Sequence, residues 1–298
     1  MKELIKVFGE EKSNVDKLKM NYLFDEDLEV CEYVSSQLLN FDIGSIERGN
    51  VISVDELIIK SIDEFRIFGL GICTRIRRII DETSIYCESD NIDQLITFIS
   101  YKNDRNGDVL VNSGMVDEYI IPRDLYELSI YYFAHEHIHA LKETNYKEYQ
   151  DGITLGETIP IFFELLIYNP EELLRKELIK IRLKVLLNNK EEYRFYDDLF
   201  MMYCVMDKSL SEKICENKNI NMCEFLRSKI GNYLNSFYYA LILYSLYKET
   251  PSKILNLVIK VLNHEITTFE LLNILGLYGD IRGETFEKEL GVIRKLVK

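Results

Sequence analysis

The chain has 298 residues, of which 47% are hydrophobic and 29% are charged, and its formal net charge is −14. This length and apolar content are enough for a sizeable core, in one large domain or two smaller ones. The negative net charge argues against nucleic acid or an anionic membrane surface as the main partner.

The chain shows no obvious targeting segment. Residues 1–15 are charged and lack the apolar core of a signal peptide. The longest apolar run, residues 237–247, is too short to span a bilayer. The six cysteines are scattered, and none belongs to a Cys-x-x-Cys pair, which predicts reduced thiols without a disulfide framework or a structural zinc site. We therefore expect a soluble cytoplasmic protein.

The N-terminal part is predicted to be helical. Apolar residues recur at helical spacing over residues 14–40. Ser53, with Glu56 three residues later, resembles a capping box that would open a helix running toward Phe68. A further helical segment, residues 72–85, carries three arginines, Arg75, Arg77 and Arg78. This cluster could bind an acidic group, but a solvent-exposed helix face is the favoured interpretation.

Residues 93–121 have a different character. Three short runs are rich in β-forming residues: 94–101, 108–112 and 118–121. Asn106 followed by Gly107 is a strong signal for a hairpin turn between the first two runs. We predict a small β-sheet here, within a chain whose few prolines and glycines otherwise favour long helices. The predicted fold class is mainly α with this one sheet.

The next segment contains the pattern His135-Glu136-x-x-His139. The chain has four histidines in all, and three of them fall between positions 135 and 139. On a helix, positions i and i+4 share one face, so both imidazoles can reach one zinc ion. Glu136 lies beside them, where it can act as a general base toward a water at the metal. His137 points off this face, so we expect a supporting or surface role for it.

The helix that carries this pattern has predictable ends. Asp124, with Glu127 three residues later, is a plausible N-cap. The polar stretch 145–152 should end the helix, at about Glu143.

Two histidines leave a zinc ion short of a protein ligand. Glu157 lies eighteen positions after His139, at the start of a further apolar helix with Pro160 in its first turn. We predict Glu157 as the third ligand, although a helix-start glutamate that responds to the helix dipole is the alternative. Glu164, two turns further on, could be the ligand instead, or an acceptor for one of the histidines. No third histidine follows at the closer spacing of a metzincin.

These residues resemble the thimet oligopeptidase and oligoendopeptidase F family of zinc peptidases. Three blocks carry the resemblance, which spans about residues 105–285: residues 133–141; Glu157 with Glu164 seven residues later; and residues 230–241, followed by 254–262 and 269–276. The resemblance implies a zincin-type helical domain. It also implies that a tyrosine, at Tyr238, stabilises the oxyanion of the transition state, with Tyr239 and Tyr233 as alternatives.

The chain also departs from the family pattern. Ile138 stands where members usually have Gly, and Asn232 stands where they often have His. Members are much longer on the N-terminal side, so we expect a more open substrate cleft here. We divide the chain into an N-terminal helical region, 1–92, and a zincin-like catalytic region with C-terminal helices, 93–298. One continuous domain is the alternative.

Together these features predict a zinc-dependent metalloendopeptidase that acts on peptides or oligopeptides and binds one Zn²⁺ per chain. His135, His139 and Glu157 would hold the metal, and Glu136 and Tyr238 would be catalytic. The expected partner is a peptide or protein substrate, without nucleic acid or membrane. Two alternatives stand beside this prediction: a regulatory zincin that acts on one specific protein partner, and a non-catalytic binding module of the same fold.

Overall fold

The computed structural model describes residues 25–38, 43–88, 97–102, 115–143, 155–169, 171–205 and 219–297. Within these ranges the protein is mostly helical, with ten α-helices, one 3₁₀ helix and one three-stranded sheet. The predicted class, mainly α with a small sheet before the histidine helix, is confirmed at this level.

The first two helices lie within segments that the sequence predicted to be helical. Helix α1 spans Asp25–Gln37, and helix α2 spans Val54–Asp63. The predicted capping box is confirmed, because the Ser53 hydroxyl accepts from the Glu56 amide and the Glu56 carboxylate accepts from the Ser53 amide. A 3₁₀ helix, Glu64–Phe68, then continues toward Gly69, whose φ of 91° allows a sharp change of direction.

Helix α3, Leu70–Glu82, ends earlier than the sequence predicted. Residues 84–88 instead form strand β1, Ser84–Glu88. This strand pairs with a later strand, so long-range hydrogen bonding overrides the helical spacing that extended to Ile85.

The sheet has the strand order β1-β3-β2, with β2 at Thr97–Lys102 and β3 at Met115–Pro122. Strand β3 is central: it runs parallel to β1 and antiparallel to β2. Strands β2 and β3 overlap the predicted runs 94–101 and 118–121. The predicted run 108–112 and the turn at 106–107 lie outside the described residues. Because β1 precedes residue 93, the sheet joins segments from both predicted regions.

Helix α4, Ser129–Glu143, carries the three clustered histidines. It ends where expected but begins five residues after the predicted N-cap Asp124. The backbone of residues 125–128 is instead hydrogen-bonded to residues 48–52, with an isolated antiparallel bridge between Val51 and Tyr126. The amide of Ile52 donates to the Leu125 carbonyl and the amide of Glu127 donates to the Asn50 carbonyl, each at 2.9 Å. These bonds delay the start of the helix.

The remaining helices complete the fold. They are α5, Thr158–Ile167; α6, Leu173–Val205; α7, Asn219–Glu249; α8, Pro251–Leu262; α9, Thr268–Ile274; and α10, Gly283–Val297. Helix α7 packs against α1, α5, α6 and α10, and helix α4 packs against α2, α5 and β2. The histidine helix is therefore enclosed on several sides. In the part of the chain that the structure describes, no helix has the length and apolarity needed to cross a membrane.

Candidate metal centre

His135 and His139 lie one turn apart on the same face of helix α4, as predicted. Their Nε2 atoms are 3.3 Å apart. Both rings are largely enclosed, with side chains 7% and 15% exposed. The geometry of the helix places the two imidazoles one above the other.

Glu157 completes this group from a second helix. It occupies the N-cap position of α5, but its side chain makes no capping hydrogen bond. Its carboxylate turns instead toward the histidines, with Oε2 at 3.2 Å from His135 Nε2 and Oε1 at 3.4 Å from His139 Nε2. Lys142, near the end of α4, donates to the Gly156 carbonyl at 3.2 Å and so holds the turn just before Glu157.

The spacing of these atoms fits a metal ion. Zinc with nitrogen and oxygen ligands at about 2.0–2.2 Å in tetrahedral geometry holds its ligand atoms about 3.3–3.6 Å apart. The two Nε2 atoms here are 3.3 Å apart, and each lies 3.2–3.4 Å from a different oxygen of Glu157. Oε2 of Glu157 is buried, and its only described contact is with Nε2 of His135 at 3.2 Å, so a cation placed between these atoms would be contacted by both. A ligand atom of Glu136 also lies within 4.8 Å of those of both histidines.

Glu164 takes the supporting position that the sequence left open. Its Oε1 lies 2.7 Å from Nδ1 of His135, on the opposite side of the ring from Glu157. The carboxylate is 1% exposed and is held by Arg182, which donates from Nε to Oε2 at 2.9 Å and from Nη2 to Oε1 at 2.6 Å. Glu164 therefore faces the outer nitrogen of His135 rather than the space between the two histidines.

Sequence reasoning missed Arg182. Its position in helix α6 carried a signal, however, because its neighbours at helical spacing, Ile179 and Leu186, are buried. An arginine within an apolar stripe requires a buried acidic partner, and Glu164 is that partner.

Charges within this cluster shift several pKa values. Burial is the largest single influence on His135 and lowers its pKa, but hydrogen bonds and charge from Glu157 and Glu164 outweigh it and raise the pKa to about 10. Burial likewise opposes ionisation of Glu164, yet Arg182 and His135 lower its pKa to about 2. Glu157 follows the same pattern, since the histidines hold its pKa well below the usual range. The imidazoles and carboxylates of this cluster are thus paired with one another.

His137 points away from His135 and His139, as predicted, but it lies in the core rather than on the surface. Its Nδ1 lies 2.8 Å from the Tyr119 hydroxyl and its Nε2 lies 3.0 Å from the Ser61 hydroxyl. Burial lowers the pKa of His137 to about 3, so the ring is neutral. The residue links α4 to α2 and to strand β3.

The structure distinguishes among the three candidate tyrosines. The Tyr238 hydroxyl donates to the Asp280 carbonyl at 2.9 Å and accepts from the Arg282 amide at 2.5 Å. The Tyr239 hydroxyl accepts from the Gly279 amide at 3.1 Å. Both hydroxyls therefore contact the turn between α9 and α10, and the oxyanion role of Tyr238 stays a prediction.

Of the three tyrosines, Tyr233 is the one whose pKa depends on the charges of the candidate site. Its pKa is raised, first by the negative charge of Glu157 and then by burial, with Glu136 and Glu164 adding to the effect. Five residues separate it from Tyr238, which places the two side chains about 140° apart around helix α7. The two side chains therefore lie on different faces of the helix.

The predicted basic cluster divides into two parts. Arg75 donates to the Leu262 carbonyl at 2.6 Å and to Asn263 Oδ1 at 2.9 Å, so it caps the C-terminal end of helix α8. Arg77 and Arg78 are exposed on α3. This arrangement favours the interpretation of a helix face over a binding site for an acidic group.

Comparisons of the chain with protein-family models, with curated proteins and with solved structures gave no match. The resemblance to the thimet oligopeptidase and oligoendopeptidase F family therefore stays a prediction based on the sequence blocks described above.

Proposed function

We propose that the protein is a zinc-dependent metalloendopeptidase with a zincin-type catalytic region, which hydrolyses peptide bonds in peptides or oligopeptides. One observation carries the proposal. Two imidazole nitrogens and a carboxylate, from two different helices, converge at 3.2–3.4 Å from one another with Glu136 alongside. The family resemblance supports the same assignment.

His135, His139 and Glu157 would hold the metal. Three protein ligands leave one position for water or substrate, which is the usual difference between a catalytic and a structural zinc site. Zinc in this site would lower the pKa of a water molecule and polarise the carbonyl group of a substrate. The protein's own contribution is to fix the ligands, to exclude bulk water and to move protons.

Glu136 is the proposed general base. It follows His135 directly in helix α4, and its carboxylate lies in the same cluster as the two histidines. It would accept a proton from the attacking water and pass that proton to the leaving amine. A general base must lie close to the reacting atoms but must not itself bind the metal. Because Glu157 would be the third ligand, Glu136 would remain available for proton transfer.

Tyr233 is the proposed oxyanion donor. Its hydroxyl lies in the electrostatic field of Glu157 and Glu136, whereas the Tyr238 hydroxyl is occupied by the 280–282 turn. A tyrosine hydroxyl is protonated at neutral pH, so that of Tyr233 can donate a hydrogen bond to the charge that develops on the substrate carbonyl.

Glu136 also bears on the alternative of a non-catalytic binding module. A metal that serves only as a structural staple needs no general base beside it. The other alternative, a regulatory enzyme with one protein partner, would have the same metal site. It would differ from a general peptidase in the range of substrates that it cleaves.

The test is to measure bound zinc and cleavage of a mixed pool of quenched peptides for the wild type and for Glu136→Gln. We expect about one zinc per chain in both proteins and cleavage in the wild type alone. Zinc without any cleavage in the wild type would favour a single protein partner or a binding role. Absence of zinc from both proteins would refute the proposal.

A further inference from the structure

Arg182 connects three helices at the candidate metal centre. It lies on α6, its ion-pair partner Glu164 lies on α5, and His135, which Glu164 contacts, lies on α4. The guanidinium donates hydrogen bonds to both carboxylate oxygens of Glu164, and its Nη2 lies 3.4 Å from Nδ1 of His135. The side chain of Arg182 is only 11% exposed.

A histidine that binds a metal through Nε2 needs its other nitrogen held by an acceptor, since that contact fixes the orientation of the ring and its tautomer. Glu164 supplies this contact to His135 at 2.7 Å. A carboxylate held at one oxygen alone could still rotate about its terminal bond. The fork of an arginine removes that freedom, because two parallel N–H···O bonds fix both oxygens in one plane.

We propose that Arg182 is a positioning residue for the metal centre. By clamping Glu164 it holds the ring of His135 with Nε2 directed toward His139 and Glu157. This inference rests on the proposed function, because it assumes that His135 is a metal ligand.

The charges around the site support this role. Three carboxylates, those of Glu136, Glu157 and Glu164, lie around the two histidines, and Glu164 is 1% exposed. A carboxylate at that depth needs a fixed cationic partner in order to remain in place before a metal arrives. Arginine suits the position better than lysine, since an ammonium group would contact the carboxylate as a single point and could not set its plane.

The experiment measures the zinc dissociation constant by competition with a chromophoric chelator, together with unfolding by urea. The variants are Arg182→Gln, Arg182→Lys, Glu164→Gln and the double variant Glu164→Gln/Arg182→Gln. Arg175→Gln is the matched control. Arg175 lies two turns earlier on the same helix and also pairs with a carboxylate, Glu64 at 3.1 Å, away from the histidines.

We expect Arg182→Gln to weaken zinc binding by about 10- to 100-fold, the usual effect of losing a residue that supports a ligand. Arg182→Lys should fall between this variant and the wild type. Arg175→Gln should lower stability and leave the zinc dissociation constant within about twofold of the wild-type value. With Gln at position 164 there is no carboxylate to clamp, so the further loss of Arg182 should not weaken zinc binding again.

Arg182→Gln leaves the buried carboxylate of Glu164 with His135 as its one remaining ion-pair partner among the described residues. If that variant does not fold, the comparison between Glu164→Gln and the double variant decides. Equal zinc affinity in these two proteins supports the proposal, and weaker binding by the double variant overturns it. A folded Arg182→Gln protein with wild-type zinc affinity would also overturn it. Failure of the wild type itself to bind zinc would refute the proposed function instead, so the two failures are distinguishable.

Discussion

The carboxylate of Glu157 lies 3.4 Å from the imidazole of His139, although the two residues belong to different helices. Glu157 sits at the N-cap of α5, where a glutamate side chain could have turned back to the first amides of its own helix. It makes no such bond. The side chain thus does not act as a hydrogen-bonding cap, and its role as a metal ligand stays a proposal.

Replacement of Glu157 by Gln should reduce zinc affinity by more than the 10- to 100-fold or so that is typical of outer partners, because a direct charged ligand is lost. Equilibrium dialysis against buffered zinc would measure the effect. Glu284→Gln is the control, since Glu284 is an exposed acidic residue in the first turn of α10. If Glu157→Gln kept the wild-type affinity, the ligand assignment would be wrong.

The two tyrosines on helix α7 should behave in opposite ways when each loses its hydroxyl. Tyr233→Phe removes the proposed oxyanion donor, so kcat should fall by about 10²- to 10³-fold with little change in KM or stability. Tyr238→Phe removes two hydrogen bonds to the 280–282 turn, so the free energy of unfolding should fall by about 1 kcal/mol with kcat unchanged. Peptide cleavage kinetics and urea titrations of both variants check these outcomes. Loss of kcat in Tyr238→Phe alone would restore the original assignment from the sequence.

His137 should make stability depend on pH. Its pKa is lowered from 6.5 to about 3 in the folded protein. Between these pH values the unfolded chain binds a proton that the folded protein does not, so the free energy of unfolding decreases as the pH falls through this window. His137→Gln keeps a donor and an acceptor but cannot titrate there.

The measurement compares urea unfolding of the wild type and His137→Gln at pH 7 and pH 5, both with EDTA present. Between these pH values the wild type should lose about 2 kcal/mol more than the variant, from the 1.5 pH units that lie below the unfolded pKa. At pH 7 the variant should be less stable by about 1–3 kcal/mol, because the hydroxyls of Tyr119 and Ser61 lose well-placed partners. Equal pH dependence in the two proteins would show that His137 is not held neutral in the core.

Local sequence determined the parts of the molecule that depend on short-range spacing. The capping box at Ser53 and Glu56 forms as predicted, since both of its bonds lie within one turn. The i, i+4 spacing of His135 and His139 was sufficient to place both rings on one face, because helix geometry alone fixes that relationship. The direction of His137 away from them followed from the same geometry.

Only the tertiary structure decided which distant residues join these histidines. The late start of α4 results from pairing with residues 48–52, and strand β1 exists because it pairs with β3. The placement of Glu157 beside the Nε2 atoms of both histidines, and of Glu164 and Arg182 beside Nδ1 of His135, depends on how α4, α5 and α6 pack together. Such choices are set by the sum of many long-range contacts, so no spacing within a single helix encodes them.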